Sequence, residues 1–255
     1  MEKTSWLNLP SLSFSVKTLF TGYLMVTGVG LLMAGAQILL THGMADGKFG
    51  LSVDDIVYSY YGNRTGSTLE AKLNGSMKDN APPAARFALI KWARKGAPKS
   101  EWKPKIQPIV NQYCAKCHGV ISGIPDLPKY DVIKVLAKVD HGATMSSLTR
   151  VSHIHLFGIS FIFFFVGLIF SMSVGFKPWV KAALIFTPFA FLVVDVSSWW
   201  LTKWDPNFAW LVIVGGLGYS LASTVMIFTS LYQMWIMPWR GQRSNENTWH
   251  IDGQE

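Results

Sequence analysis

The sequence predicts an all-α membrane protein: a bundle of four transmembrane helices with a small α-helical domain inserted between the first and the second. Three observations predict it. Half of the 255 residues are hydrophobic and only 15% are charged, well below the quarter usual in soluble domains. The apolar residues gather in four stretches, each long enough for a bilayer, which takes about 20 residues. The polar residues gather in one long block, residues 42–152, between the first stretch and the second.

The four predicted spans cover residues 18–40, 154–176, 179–201 and 208–237. A soluble core helix rarely stays apolar on every face for so long. Trp179, Trp199, Trp200, Trp204, Trp210, Trp235 and Trp239 lie near predicted span ends, where aromatic belts form. The first span carries an Ala-Gly-Ala stretch (Ala34 to Ala36) that resembles a signal cleavage site. Apolar residues continue beyond it, so an uncleaved anchor is expected. In the last span the small residues Gly215, Gly216, Gly218, Ser220 and Ala222 permit close helix approach, within the bundle or to another subunit.

Short loops report orientation. Lys17 precedes span one, Lys177 and Lys181 lie between spans two and three, and Arg240 and Arg243 follow span four. With four spans these cations share one side, the expected cytoplasmic one. The chain then divides into an N-terminus with span one (1–41), an external domain (42–152), spans two to four (153–238) and a cytoplasmic tail (239–255). The expected location is a bacterial inner membrane, with the inserted domain in the periplasm.

The only two cysteines, Cys114 and Cys117, fall in that domain, three apart and followed by His118. Cys-x-x-Cys-His is the attachment signature of c-type haem. The spacing lets one helical turn offer both thiols to the porphyrin vinyl groups, and the adjacent imidazole becomes the proximal iron ligand. A structural zinc site needs four ligands, and no second cysteine pair exists. A thioredoxin-like redox disulfide needs a βαβ frame, whose strand pattern is missing.

The residues around the motif extend the comparison. Residues 102–119, "WKPKIQPIVNQYCAKCHG", resemble the N-terminal helix and haem site of the c-type cytochrome family. The counterpart of the part that usually follows precedes the motif: residues 73–97, "LNGSMKDNAPPAARFALIKWARKGA", resemble the family's Gly-x-Met turn and closing helix. Pro82 and Pro83 suit the helix start, Phe87, Ile90 and Ala93 recur on one face, and Gly96 suits the C-cap. The resemblance covers about residues 66–139. It implies a circularly permuted cytochrome c-like domain, one covalent haem c, and Met77 as the sixth ligand opposite His118. His141, Met145 and Met44 are the alternative ligands.

Four ionisable residues are expected near the outer membrane face: His42 at the end of span one, His153 and His155 at the start of span two, and Asp195 near the end of span three. Such groups are costly within a membrane. They could hold a metal, take protons from a quinol, supply a distal haem ligand, or only brace helix ends. On a helix, His153 and His155 face different ways. No histidine lies in the middle of a span, which argues against a transmembrane b-type haem. His250 lies in a polar tail.

The expected function is one-electron transfer by a membrane-bound mono-haem cytochrome, as a subunit of a respiratory or photosynthetic complex rather than a stand-alone enzyme. Its expected partners are other membrane subunits, lipid, and a soluble redox partner. The domain's Lys and Arg outnumber its acidic residues, so that partner would be acidic; no nucleic-acid partner is expected. The rival is a quinol-oxidising or metal-dependent redox enzyme built on His42, His153, His155 and Asp195. A haem-based gas sensor is a third reading, which would leave the sixth position open.

Overall fold

The computed structural model describes residues 7–41, 50–242, 244 and 247–249. His42, Met44, Arg243 and His250 lie outside the described residues. Among those described every regular element is helical, apart from an isolated bridge between Ser67 and Val139. Helix α1 spans Phe14–Thr41. The short helices α2 (Val53–Tyr60), α3 (Thr68–Asn74) and α4 (Pro83–Arg94) follow. Helix α5 starts at Lys99–Glu101, passes through a π turn at Trp102–Ile106 and ends as Gln107–Tyr113. Then come α6 (Ala115–His118), α7 (Tyr130–Leu136), α8 (Met145–Ser171) and α9 (Pro178–Trp204). Helix α10 (Ala209–Leu231) continues through a second π turn at Tyr232–Ile236 into Met237–Trp239.

Four segments are long and apolar enough to cross a membrane: Phe14–Leu40, Met145–Ser171, Pro178–Trp204 and Pro206–Trp239. The shortest have 27 residues, about 40 Å of helix at 1.5 Å per residue, against a hydrocarbon core of about 30 Å. The second begins nine residues before its expected start. Polar residues open it, capped by Thr144, whose hydroxyl accepts from Ser147 N at 3.1 Å. It also stops at Ser171 rather than running to residue 176: Met172 N and Ser173 N bond only three residues back, to Ile169 O and Phe170 O, and Gly175 then turns the chain at a φ of +79°. His153 and His155 therefore lie two to three turns inside α8, not at its start.

The chain forms two compact units. One comprises Met1–Ala36, Leu148–Ser198 and Trp210–Glu255; the other comprises Gln37–Ser147 and Trp199–Ala209. The core of the first is apolar: Leu24 of α1, Val166, Ile169 and Phe170 of α8, and Met226 and Ile227 of α10 are all buried. Cations close its chain ends. Lys17 donates to Pro10 O at 2.8 Å. Lys181 donates to Ser173 O at 2.7 Å and Ser171 O at 3.3 Å, a favourable place for a cation at the end of α8. Two of the small residues of the last span make their close approach inside the bundle. A Cβ on Gly215 would stand 2.7 Å from the Cβ of Asp195 in α9, and one on Gly218 would enter the Phe191 ring. Gly215→Leu is expected to cost about 1–3 kcal/mol through overpacking and to lower the melting temperature of the detergent-solubilised protein. Gly216→Ala, whose Cβ meets only Tyr219 Oη at 3.7 Å, is expected to leave that temperature unchanged.

The second unit is built on α3, α4, α5 and α7. Leu69, Leu73, Leu89, Trp92, Trp102, Ile106, Val110 and Ile133 form its core. Ser52 and Asp55 make a capping box that starts α2, and Ser67 caps α3. Pro82 and Pro83 open α4 as expected, and Gly96 turns out of it at a φ of +82°. The buried face of α4 differs from the expected one. It carries Ala85, Leu89, Trp92 and Ala93, while Phe87 is two-thirds exposed. The Trp92 indole packs against Trp102 and Tyr130, and that cluster sets the rotation of the helix. The π turn in α5 has a local cause: Pro104 has no N–H to donate to the preceding turn, and Gln107 N bonds back to Trp102 O. The end of α9 belongs to this unit. Trp199 stacks on Tyr60 with centroids 5.9 Å apart, Arg64 donates to Lys203 O at 3.0 Å, and Lys203 donates to His141 O.

Candidate functional site

Helix α5 delivers the cysteine motif. Its last turn ends at Tyr113, Cys114 joins it to α6, and Cys117 and His118 lie on that single turn, closed by Gly119. Val110, one turn before Cys114, is fully buried in the core, so the motif hangs from a fixed helix. The His118 ring is held from one side: its Nδ1 lies 2.9 Å from Pro125 O. A carbonyl can only accept, so Nδ1 carries a proton, and in the neutral imidazole the free lone pair is on Nε2.

Cys114, Cys117 and His118 line a cavity of about 420 Å³, within the range of small-molecule sites. Its walls include Leu69, Leu73, Leu89, Leu127, Ile133 and Leu136. Met77 lines the same cavity, delivered from the opposite direction in sequence. It follows the Gly75-Ser76 turn, where Met77 N bonds to Lys72 O at 2.8 Å, and its Sδ accepts from Asn80 Nδ2 at 3.6 Å. Of the four candidate sixth ligands, His141 and Met145 do not line the cavity, and Met44 lies outside the described residues. One apolar cavity thus has two thiols, an imidazole and a thioether on its wall.

The two thiols differ. Cys117 is exposed, while Cys114 is half-buried, and burial pushes the Cys114 thiol up from its ordinary value. The thiolate is the nucleophile, so the buried thiol holds less of it near neutrality. With both thiols free, iodoacetamide is expected to modify Cys117 several-fold faster than Cys114 at pH 7. The gap should narrow as pH rises and Cys114 also ionises. Peptide mass spectrometry reads both rates.

The residues of the second expected group are placed differently. His42 lies outside the described residues. His153 is exposed, its ring against Phe157 at 6.4 Å. His155 is half-buried and its Nδ1 lies 2.9 Å from Val151 O. Asp195 is buried, at 4% exposure. Among the described residues no three His, Cys, Asp or Glu side chains converge to hold a metal ion.

Sequence reasoning missed Pro125 as the partner of His118, and the contribution of α3 to the cavity through Leu69 and Leu73. The signal for α3 was present: Ser67 followed three residues later by Glu70, a helix-start pattern. Helix α2, with its capping box, was missed in the same way.

No curated protein and no solved structure matches the chain. A family model for a transmembrane helical domain does match. It takes in the end of α5, the cysteine motif and the last three apolar helices; α1 and the Met77 turn lie before it. The match runs over residues 107–242, more than half of the chain, and the protein therefore belongs to the Aq_1264_TM family of transmembrane helical domains.

Proposed function

We propose that the protein is a multi-pass membrane cytochrome of the c type, passing single electrons as a subunit of a respiratory or photosynthetic complex. The observation that carries this reading is the shared cavity: both thiols of the attachment signature, the adjacent imidazole and the Met77 thioether line one apolar space. These donors fit a covalently held haem, which when bound supplies a one-electron change at its iron. Cys114 and Cys117 are the thioether anchors. His118, with Nδ1 engaged by Pro125 O, offers Nε2 as the proximal ligand. Met77 offers sulfur as the sixth. Leu69, Leu73, Leu127 and Ile133 keep water from the cavity, and a dry surround is a lever on redox potential.

On this reading the inserted unit is a permuted cytochrome c-like domain, since the methionine turn precedes the motif. The attachment chemistry and the cations at Lys17, Lys177, Lys181 and Arg240 favour a bacterial inner membrane with that unit in the periplasm. The basic excess of the unit favours an acidic soluble partner, and the lipid-spanning bundle suits contact with other subunits or a quinone.

A pyridine haemochrome assay with haem staining on a denaturing gel, on the purified full chain, tests the proposal. One covalent c-type haem is the expected result. No covalent haem would overturn it. The rival enzyme is tested on the same preparation: loss of quinol turnover in His155→Ala with an unchanged haem spectrum would favour the enzyme over a relay.

A further inference from the structure

Hydroxyls in membrane helices ordinarily bond back to a carbonyl of the preceding turn, since hydrocarbon offers no other partner. Several here do so. Thr18 donates to Phe14 O at 2.9 Å, Thr187 to Ala183 O at 2.7 Å and Thr224 to Ser220 O at 2.7 Å. The buried Ser198 does the same toward Asp195 O at 2.6 Å. Four other buried hydroxyls among the described residues do not; one of them, Thr202, lies at the end of α9 in the other unit, and three belong to the bundle. Ser223 and Ser230 of α10 and Ser173 after α8 are at most 1% exposed, and their Oγ atoms have no hydrogen-bond partner among the described residues. Leaving a hydroxyl unpaired in an apolar interior costs on the order of 1–3 kcal/mol. The contrast between Thr224, satisfied and exposed, and its neighbour Ser223, buried and unpaired, shows that the open capacity lies on the inner face.

These groups share that face. Gly215, Tyr219, Ser223, Ser230 and Gln233 fall within about 80° of one another at 100° per residue, and they rise about 27 Å along the helix. That is close to the roughly 30 Å of a hydrocarbon core. At one end Gly215 packs directly on Asp195, the buried carboxyl group of α9. At the other, Gln233 bonds to both Val174 N, at 2.8 Å, and Val174 O, at 2.9 Å. Ser173 and Lys181 lie beside that loop. Between Ser223 and Ser230 the face is interrupted by Met226, which is fully buried.

We propose that this polar face is a proton path, connecting Asp195 to the aqueous phase at the α8–α9 loop through Tyr219, Ser223, Ser230 and water molecules held by their hydroxyls. Buried polar groups with open bonding capacity are where interior water sits, and an acidic residue within a membrane marks a proton site. Each step is balanced. The Asp195 carboxylic acid gives up a proton and becomes a carboxylate, which takes its next proton from the opposite aqueous phase. Every hydroxyl or water along the face accepts one proton and passes another on, and the last releases hydronium at the loop. Met226 is the gate: its unbranched thioether has to swing aside for the two halves to join. This inference goes beyond the electron-transfer reading and does not depend on it.

The test uses the full chain in phosphatidylcholine vesicles loaded with a pH-sensitive dye, with a potassium diffusion potential drawing protons across the bilayer. Wild-type protein is expected to acidify the lumen faster than empty vesicles. Met226→Ser is expected to raise the rate several-fold, and Ser223→Val to lower it several-fold. Asp195→Asn is expected to return the rate to that of empty vesicles in both the wild-type and the Met226→Ser background, and Asp195→Glu to retain part of it. Asp195→Asn counts only where its melting temperature in detergent matches that of wild type, so that a folding defect is not read as a blocked path. Rates equal to empty vesicles for both wild type and Met226→Ser would overturn the proposal, as would flux that Asp195→Asn leaves unchanged.

Discussion

On the proposed cytochrome reading, replacing Met77 with alanine is expected to lower the reduction potential on the order of 100 mV, within the roughly 0.8 V that axial ligands command. The covalent haem should remain, because the variant leaves Cys114, Cys117 and His118 untouched. A histidine–methionine pair raises the potential of a c-type site, so losing the sulfur lowers it and opens the sixth position. Added imidazole should then bind far more readily than in wild type and restore a six-coordinate spectrum. Asn80→Ala is the graded companion: it removes the Nδ2 contact to Met77 Sδ but keeps the ligand, and a shift smaller than that of Met77→Ala is expected. Optical titration under controlled potential measures all three. His141→Ala and Met145→Ala are expected to leave the potential in place, since neither side chain lines the cavity. An unchanged potential in Met77→Ala together with a shift in His141→Ala would transfer the sixth ligand to that histidine.

Trp92→Ala is expected to destabilise the inserted unit by about 3–5 kcal/mol, the range for deleting a buried large aromatic side chain. Trp92 is 1% exposed. Its ring lies 5.7 Å from Trp102 and 6.4 Å from Tyr130, and its Nε1 donates to Pro98 O at 3.1 Å. The substitution removes the core filler, two aromatic contacts and one hydrogen bond together. Since a small domain is stable by only about 5–15 kcal/mol, this single change consumes a large share of the total. Far-ultraviolet dichroism would be dominated by the apolar helices. The informative measurement is hydrogen exchange over residues 83–137, which should lose protection while residues 178–198 and 210–231, in the other unit, keep theirs. Trp92→Phe, which keeps most of the apolar volume, should recover more than half of the loss. Equal exchange in wild type and Trp92→Ala would show that α4 is held by something other than this cluster.

The sequence by itself determined the four apolar helices, the helical class and the position of the cysteine motif. Each of these is carried by local information: run length for the spans, residue spacing for Cys114, Cys117 and His118, proline and glycine for the ends of α4. Boundaries set by polar residues were harder to read. Met145 to Arg150 look like a loop, yet they are the first turns of α8, because Thr144 caps them and the helix carries its own backbone bonds. What the tertiary structure alone decided is which side chains meet. The rotation of α4 follows from where the Trp92 indole finds Trp102 and Tyr130, and so Phe87 is left outside. Met77 stands 37 residues before Cys114 in the chain (114 − 77), and nothing in its own neighbourhood separates it from Met145. It shares the cavity because α3 and α4 pack against α5 and close the distance. The inner face of α10 is likewise a tertiary fact. The helical spacing of Gly215, Tyr219, Ser223 and Ser230 was always visible, but only packing within the bundle turns the spacing into burial. Burial, in turn, makes an ordinary serine hydroxyl costly to leave unpaired.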